Sequence, residues 1–155
     1  MKKLSEMDIV AHRGGAGPHI ENTLESFLYA LDMGFSAIEM DVRRAYFSKK
    51  FFLEHDYLHH PRYRRNYVTN VLPKIPENIK LFIELKTNSV FTNVYAKNFY
   101  RVYEKYLKKR DTYIISFNPV ILFRLKDADI EMKTGGGQDA GPLEAVVFSI
   151  AARHR

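Results

Sequence analysis

The chain of 155 residues contains no cysteine, and this absence excludes several kinds of site. Without thiols there is no disulfide framework, no thiolate metal centre and no cysteine nucleophile. A chain without cysteine is compatible with a reducing compartment, although the absence does not prove one. Any metal centre in this protein therefore lacks thiolate ligands.

Long apolar segments are also missing. The first eight residues carry two lysines but no apolar stretch before the acidic residues, so they do not predict a signal peptide. No apolar run reaches the length that crosses a bilayer. We therefore predict a cytoplasmic protein without a transmembrane segment.

Acidic residues are outnumbered by basic ones, 18 to 24, and the formal net charge is +6. This balance favours anionic partners in general, such as phosphates, nucleic acid or a membrane surface. The length fits about one domain, and the hydrophobic share of 46% is enough for a core of ordinary size.

The last part of the chain lacks two residue types that are common elsewhere. Residues 135–155 contain no lysine and none of the ten tyrosines, but they hold half of the eight glycines. We therefore divide the chain into a domain at 1–134 and an atypical tail at 135–155, which we expect to pack poorly. A natural terminus, a cloning artefact and a shifted reading frame all remain open as its origin.

The most informative segment is 37–42, where apolar residues alternate with Glu39 and Asp41. Alternation is typical of a strand, and on a strand the two carboxylates project from the same face. Neighbouring buried carboxylates repel each other, and a hard cation such as Mg²⁺ or Ca²⁺ is the simplest reason to place them together. The alternative for this segment alone is a half-exposed strand with its polar face in water.

Predicted strands and helices alternate along the chain, which favours an α/β fold with a parallel sheet covered by helices. The segment 57–80, which contains three prolines, is predicted to be irregular. Strands are predicted at 8–13, 37–42, 80–86, 112–117 and 130–133, and 51–56 is predicted to be a further short strand or a hairpin arm. Helices are predicted after an N-cap at Asn22, at 89–110 and from Pro119.

Polar side chains recur where the predicted strands end, and that edge of a parallel sheet or barrel is where sites are built. Three acidic groups suit a cation, two histidines suit proton transfer and two basic groups suit an anion. Such a set predicts metal-assisted hydrolysis of a phosphate ester. The polar residues at the ends of the predicted strands are His12, Arg13, Glu39, Asp41, His55, Asp56, Glu84, Lys86 and Ser116.

Several of these residues lie in motifs that resemble the glycerophosphodiester phosphodiesterase family. Their order and most of their spacings agree with the family over roughly residues 8–134. The motifs are His12-Arg13-Gly14-Gly15, Glu21-Asn22-Thr23-Leu24-Glu25-Ser26-Phe27, Ile38-Glu39-Met40-Asp41-Val42, His55-Asp56 and Ile83-Glu84-Leu85-Lys86.

The resemblance implies a TIM-type barrel and hydrolysis of a glycerophosphodiester to an alcohol and glycerol 3-phosphate with bound Mg²⁺ or Ca²⁺. We expect only a partial barrel, because the chain has about five of the eight strands that close such a fold. By position, the resemblance implies that Glu39, Asp41 and Glu84 bind the metal, that His12 and His55 form the acid/base pair, and that Arg13 and Lys86 hold the phosphate.

The chain also departs from the family pattern. The region between His55 and the strand at 80–86 is short for the family, and the C-terminal third of the barrel is missing. One alternative is therefore a truncated, catalytically impaired domain that still binds metal or phosphate. The open edge of a partial barrel also predicts marginal stability or self-association.

A basic aromatic segment at 57–67 supports a further alternative. Three arginines and three tyrosines alternate there, and aromatic and guanidinium groups can stack bases and bind phosphates. A solvated loop or a role at the substrate mouth accounts for the same residues, and no nucleic-acid motif accompanies them. We therefore expect a small-molecule substrate and no nucleic-acid partner.

Overall fold

The computed structural model describes residues 9–15, 17–44, 50–56, 66–87, 92–118 and 120–121. The tail at 135–155, the strand at 130–133 and most of the basic aromatic segment fall outside these ranges, so what was expected of them stays a prediction. Within the described ranges, no helix is both long and apolar enough to cross a membrane.

Six strands and three helices make up the described part of the chain. Two single turns of 3₁₀ helix, His12–Gly14 and Leu72–Lys74, lie between them. The strands are β1 (Val10–Ala11), β2 (Ala37–Arg44), β3 (Phe51–Leu53), β4 (Asn66–Tyr67), β5 (Lys80–Leu85) and β6 (Thr112–Ile115), and the helices are α1 (Leu24–Asp32), α2 (Val68–Val71) and α3 (Thr92–Leu107).

Four of the strands are parallel and follow one another in chain order. β1 pairs with β2, β2 with β5, and β5 with β6, and α1 and α3 lie in the connections between them. This is the α/β arrangement of a partial TIM-type barrel, as predicted. The carboxyl ends of these strands meet at one edge, which is therefore the edge that can carry a site.

The strand β3 does not belong to the parallel set. It runs antiparallel to the last residues of β2, with Val42 opposite Leu53 and Arg44 opposite Phe51, and it pairs with β4 on its other side. The expectation that His55 follows a parallel strand is therefore wrong, and the alternative prediction for 51–56, a hairpin arm, agrees with the structure. β2 continues past the edge of the sheet, and β3 returns along it, so that the Glu54 amide donates to the Asp41 carbonyl at 3.2 Å.

Helix α1 begins one residue later than expected. Thr23 is the N-cap, and it forms a reciprocal capping box with Ser26. The predicted N-cap, Asn22, is instead in the left-handed region at φ 57°. The C-terminal end agrees with the prediction, because Gly34 follows the C-cap with φ 89°, a conformation that glycine adopts without strain.

Helix α3 agrees with the predicted helix at 89–110 apart from its ends. Phe99, Tyr103 and Leu107 are buried, whereas Val102, which was expected in the same stripe, is exposed. The ring of Phe51 contacts Phe99 and Tyr103 edge-on, with centroids 5.3 and 5.8 Å apart. The hairpin strand β3 is thus fixed to α3 by aromatic packing.

The segment from 66 to 80 is more regular than expected. It contains β4, α2 and a 3₁₀ turn, and apolar side chains from it enter the same core as the sheet. Val68, Val71, Leu72 and Ile75 are all buried. The prolines at 73 and 76 lie in and just after the 3₁₀ turn, where a missing amide donor is tolerated.

Candidate active site

Strands β2 and β5 bring three carboxylates together. Asp41 lies directly opposite Glu84 in the parallel pairing, and Glu39 is two residues earlier on the same face of β2. One oxygen from each of the three carboxylates lies within 4.8 Å of the others. The groups expected to bind metal are therefore close enough to share one cation.

All three carboxylates are buried, with exposed fractions of 6% for Glu39, 0% for Asp41 and 6% for Glu84. Burial of three acidic groups is costly unless positive charge or hydrogen bonds compensate it. Glu39 Oε1 accepts no hydrogen bond from the described residues, and Asp41 Oδ1 has the Lys86 ammonium 3.2 Å away. These two oxygens retain lone pairs for a ligand, so the donor set fits a hard divalent cation.

The acid strengths of Glu39 and Glu84 reflect this crowding. Burial, followed by the neighbouring Asp41 carboxylate, raises the pKa of Glu39 to about 8. Burial also raises the pKa of Glu84, although the Lys86 ammonium opposes the shift. Without a cation, the fold therefore favours protonation of at least one carboxyl group in the cluster.

Asp41 behaves in the opposite way. Burial alone would raise its pKa, but the hydrogen bond from Asn22 and the charges of Lys86 and Arg13 outweigh burial and lower the pKa. Arg13 Nε lies 3.1 Å from Asp41 Oδ2, and Lys86 Nζ lies 3.2 Å from Asp41 Oδ1. Asp41 is therefore the carboxylate that the surrounding residues keep ionised.

The two basic groups expected to hold phosphate both border the carboxylates. Lys86 Nζ also contacts Glu84 Oε1 at 3.0 Å. The Arg13 amide donates to Glu39 Oε2 at 3.0 Å, and its guanidinium is paired with the exposed Glu21 at 3.1 Å. Arg13 adopts φ 54°, which turns the chain after β1 back toward β2.

His12 lies at the start of the same turn. Its Nε2 atom is 3.8 Å from Glu39 Oε2, and its side chain is largely exposed. Partial burial and the adjacent Arg13 charge lower the pKa of His12, although the Asp41 carboxylate opposes them. The neutral imidazole, which can accept a proton, is therefore favoured near neutral pH.

His55 reaches the site from the hairpin. Its Nδ1 atom lies 2.8 Å from Asp56 Oδ1, and its charge is close enough to contribute to the shift at His12. The guanidinium of Arg43, on β2, donates to the His55 carbonyl through both Nε, at 3.0 Å, and Nη2. The loop that carries His55 is thus tied to the strand that carries Glu39 and Asp41.

The structure therefore gathers six of the seven predicted site residues in direct contact, and it brings His55 to the same edge through the hairpin. Sequence reasoning missed the supporting contacts of Arg43 and Asn22, whereas Asp56 was already among the polar residues at the predicted strand ends. Arg43 gave no signal beyond its charge, and Asn22 was assigned to helix capping. The sequence signals for Asn22 are its place in the motif at 21–27 and its residue type, because asparagine tolerates the left-handed region better than most residues.

Comparison with known proteins agrees with the resemblance that the motifs indicate. Residues 12–46 match the sequence model of the Glycerophosphoryl diester phosphodiesterase family, and this segment contains His12, Arg13, Glu39 and Asp41. The predicted resemblance to that family is thus confirmed. No curated protein matches the chain.

Solved structures share the fold. A glycerophosphodiester phosphodiesterase from Thermotoga maritima is 22% identical with a TM-score of 0.62, over 83% of this chain and 61% of its own. The enzyme from Agrobacterium tumefaciens is 20% identical with a TM-score of 0.63, over 81% and 63%. The enzyme from Parabacteroides distasonis is 19% identical with a TM-score of 0.64, over 81% and 62%. The chain thus spans less than two thirds of each matched structure.

Proposed function

We propose, from the resemblance of this chain to the glycerophosphoryl diester phosphodiesterase family, that it is a metal-dependent phosphodiester hydrolase. The reaction is hydrolysis of a glycerophosphodiester by water to an alcohol and glycerol 3-phosphate, a step of lipid and glycerol metabolism. The cofactor is one divalent cation, Mg²⁺ or Ca²⁺. Its ligands are Glu39, Asp41 and Glu84.

The observation that carries this proposal is the cluster of three buried carboxylates flanked by the basic side chains of Arg13 and Lys86. One oxygen from each carboxylate lies within 4.8 Å of the other two. Lys86 and Arg13 contact the Asp41 carboxylate at different oxygens. Three such carboxylates would hold a divalent cation, and the two basic groups beside them would attract a phosphate. Buried carboxylate oxygens in an ion-pair network usually have a donor, whereas Glu39 Oε1 has none among the described residues.

The remaining roles follow from the chemistry of each side chain. When bound, the cation supplies positive charge that stabilises the phosphate oxygens. The Arg13 guanidinium and the Lys86 ammonium supply positive charge for the phosphate oxygens. One of His12 and His55 accepts a proton from the attacking water as its oxygen bonds to phosphorus, the P–O bond to the alcohol breaks, and the other histidine donates a proton to the departing alcohol oxygen.

The direct test is turnover of glycerophosphocholine by the 155-residue chain. Glycerol 3-phosphate is measured with a coupled dehydrogenase in Mg²⁺, in Ca²⁺ and in a chelator. We expect activity that requires one of the cations and disappears in chelator. Absence of turnover in a folded preparation, as shown by a cooperative melt, contradicts the proposal for this chain.

Substitution of each histidine separates catalysis from binding. We expect His12→Asn and His55→Asn each to lower kcat by about 100-fold or more, because a positioned proton-transfer group contributes at least that factor. The matched control is His19→Asn, an exposed histidine that packs against Tyr29 outside the carboxylate cluster. The control should retain parental activity. Equal loss in all three variants would contradict the assignment.

A second candidate function is binding of metal or phosphate without turnover. It is favoured by the extent of the match, since the chain covers only 61% to 63% of the enzymes it resembles. Calorimetric titration with Mg²⁺ or Ca²⁺ distinguishes the two functions. Cation binding that is lost in Glu39→Ala, in a parent without turnover, supports the second candidate. The expected self-association and cytoplasmic location stay predictions.

A further inference from the structure

Asn22 is an unusual residue for its position. It is only 3% exposed and adopts φ 57°. A buried polar side chain in the left-handed region combines a desolvation cost with a strained backbone, unless the surrounding contacts require both. Helix capping does not require them, since Thr23 caps α1.

The side-chain amide of Asn22 forms two hydrogen bonds, and both are with Asp41. Its Nδ2 donates to Asp41 Oδ2 at 2.9 Å, and its Oδ1 accepts from the Asp41 backbone amide at 3.0 Å. The Asn22 backbone amide donates to the Arg13 carbonyl at 3.0 Å. One residue thus joins the loop that carries Arg13 to the strand that carries Asp41.

These contacts determine which way the Asp41 carboxylate faces. Oδ2 receives the Asn22 amide and lies 3.1 Å from Arg13 Nε. Oδ1 is buried on the side of Glu84 and Lys86, with the Lys86 ammonium 3.2 Å away. A carboxylate with one oxygen fixed by the protein and the other directed into an acidic cluster is oriented as a single-oxygen ligand.

We propose that Asn22 is the positioning residue of the cation site, holding Asp41 so that Oδ1 faces the ion while Oδ2 stays with the protein. The inference rests on the cation site of the proposed function. Outer partners of this kind orient metal ligands, and their loss typically weakens metal affinity by about 10-fold to 100-fold. Asn22 does not touch the cation or the substrate, so its effect acts through Asp41.

Two variants separate the side chain of Asn22 from its backbone strain. Asn22→Gly removes the amide but suits the left-handed backbone, whereas Asn22→Ala removes the same amide and strains the backbone. We expect the Kd for Mg²⁺ and Ca²⁺, measured by calorimetry, to rise about 10-fold or more in both variants. Their melting temperatures without cation should differ, with Asn22→Ala the less stable.

The matched control is Thr23→Ala, which removes the neighbouring N-cap of α1 without touching Asp41. It should lower the melting temperature and leave the cation Kd within twofold of the parent. A Kd within twofold of the parent in Asn22→Gly would overturn the proposal. So would equal Kd losses in Asn22→Gly and Thr23→Ala, because general destabilisation would then be the cause.

A measurement on the unsubstituted chain keeps the test independent of variant folding. In ¹⁵N-labelled protein, the Asn22 side-chain amide protons should exchange slowly with solvent, and their resonances should shift on titration with Mg²⁺ or Ca²⁺. Fast exchange, or no shift at saturating cation, overturns the proposal. Cation binding without turnover would refute the hydrolase while leaving the Asn22 proposal intact, whereas a parent that binds no cation refutes both.

Discussion

The ammonium nitrogen of Lys86 lies 3.2 Å from Asp41 Oδ1, an oxygen that we assign to the cation. It also lies 3.0 Å from Glu84 Oε1. A positive charge beside two ligands stabilises the cation-free cluster and opposes entry of a second positive charge. The same charge would favour a phosphate group. Lys86 should therefore have opposite effects on the binding of cation and of substrate.

We predict that Lys86→Met tightens the Kd for Mg²⁺ or Ca²⁺ at pH 8.5 by roughly fivefold, about 1 kcal/mol, and raises KM for glycerophosphocholine. Calorimetry and steady-state kinetics measure the two effects. Lys109→Met is the control, because Lys109 forms an exposed ion pair with Glu77 away from the carboxylate cluster. Weaker cation binding in Lys86→Met would show that the ammonium organises the ligands rather than competes for them.

Glu39 predicts how stability depends on pH. Its pKa rises from 4.5 to about 8 on folding, mainly through burial, so the folded chain binds more protons than the unfolded chain between these values. Stability from this group is fully present below about pH 4.5 and is lost as pH rises through about 8. Without cation, Glu39→Gln should therefore be more stable than the parent at pH 8, by roughly 5 °C in Tm.

Thermal melts in chelator between pH 5 and 9 measure this difference. The gap between Glu39→Gln and the parent should widen with pH up to about 8 and then level off, and added cation should stabilise the parent but not the variant. Glu25→Gln, a change at an exposed carboxylate on α1, is the control and should follow the parent. Parallel pH profiles for parent and Glu39→Gln would show that Glu39 does not bear the shift.

Arg43 predicts an effect on catalysis without an effect on the metal. Its guanidinium holds the His55 carbonyl by two hydrogen bonds, and it lies two residues beyond Asp41 on β2. Arg43→Met should lower kcat about 10-fold through a displaced His55 and leave the cation Kd within twofold. Arg101→Met, at an exposed site on α3, is the control. Loss of cation affinity in Arg43→Met would show that Arg43 supports the strand that carries Glu39 and Asp41, rather than His55 alone.

Removal of the Tyr95 hydroxyl should affect the stability of the fold alone. Its buried hydroxyl donates to the Val42 carbonyl at 2.6 Å, and that carbonyl also accepts from the Lys86 amide at 2.9 Å. Tyr95→Phe should cost about 1 kcal/mol, because the carbonyl keeps one donor. Tyr103→Phe, in the same aromatic cluster, is the control for ring packing. Denaturant unfolding measures the loss, and a cost above about 3 kcal/mol would contradict it.

The acidic cluster could be predicted from sequence because it depends on local periodicity. Alternation on β2 and β5 places Glu39, Asp41 and Glu84 on one face, and the parallel order of the strands brings those faces together. His12 and Arg13 follow from the same argument, since they stand immediately after a buried strand.

The rest of the site depends on contacts that no local pattern encodes. A strand of three residues, such as β3, has no period that reveals its direction, so the sequence left open whether 51–56 joins the parallel set or forms a hairpin arm. The bond from Asn22 to Asp41 joins residues 19 positions apart and requires a left-handed backbone. Val102 was wrongly predicted to be buried, because the apolar residues of α3 cover more of the helix surface than the part that packs against the core.

The direct pairing of Asp41 with Glu84 makes the register of β2 and β5 specific. A slip of one residue would turn Asp41 and Glu39 toward the helices and Ile38 and Met40 toward the opposite face. Two carboxylates would then lie in an apolar layer without the amide, guanidinium and ammonium partners that now surround them. Misregistered sheets are thus heavily penalised, and the chemistry of the site itself selects the correct alignment during folding.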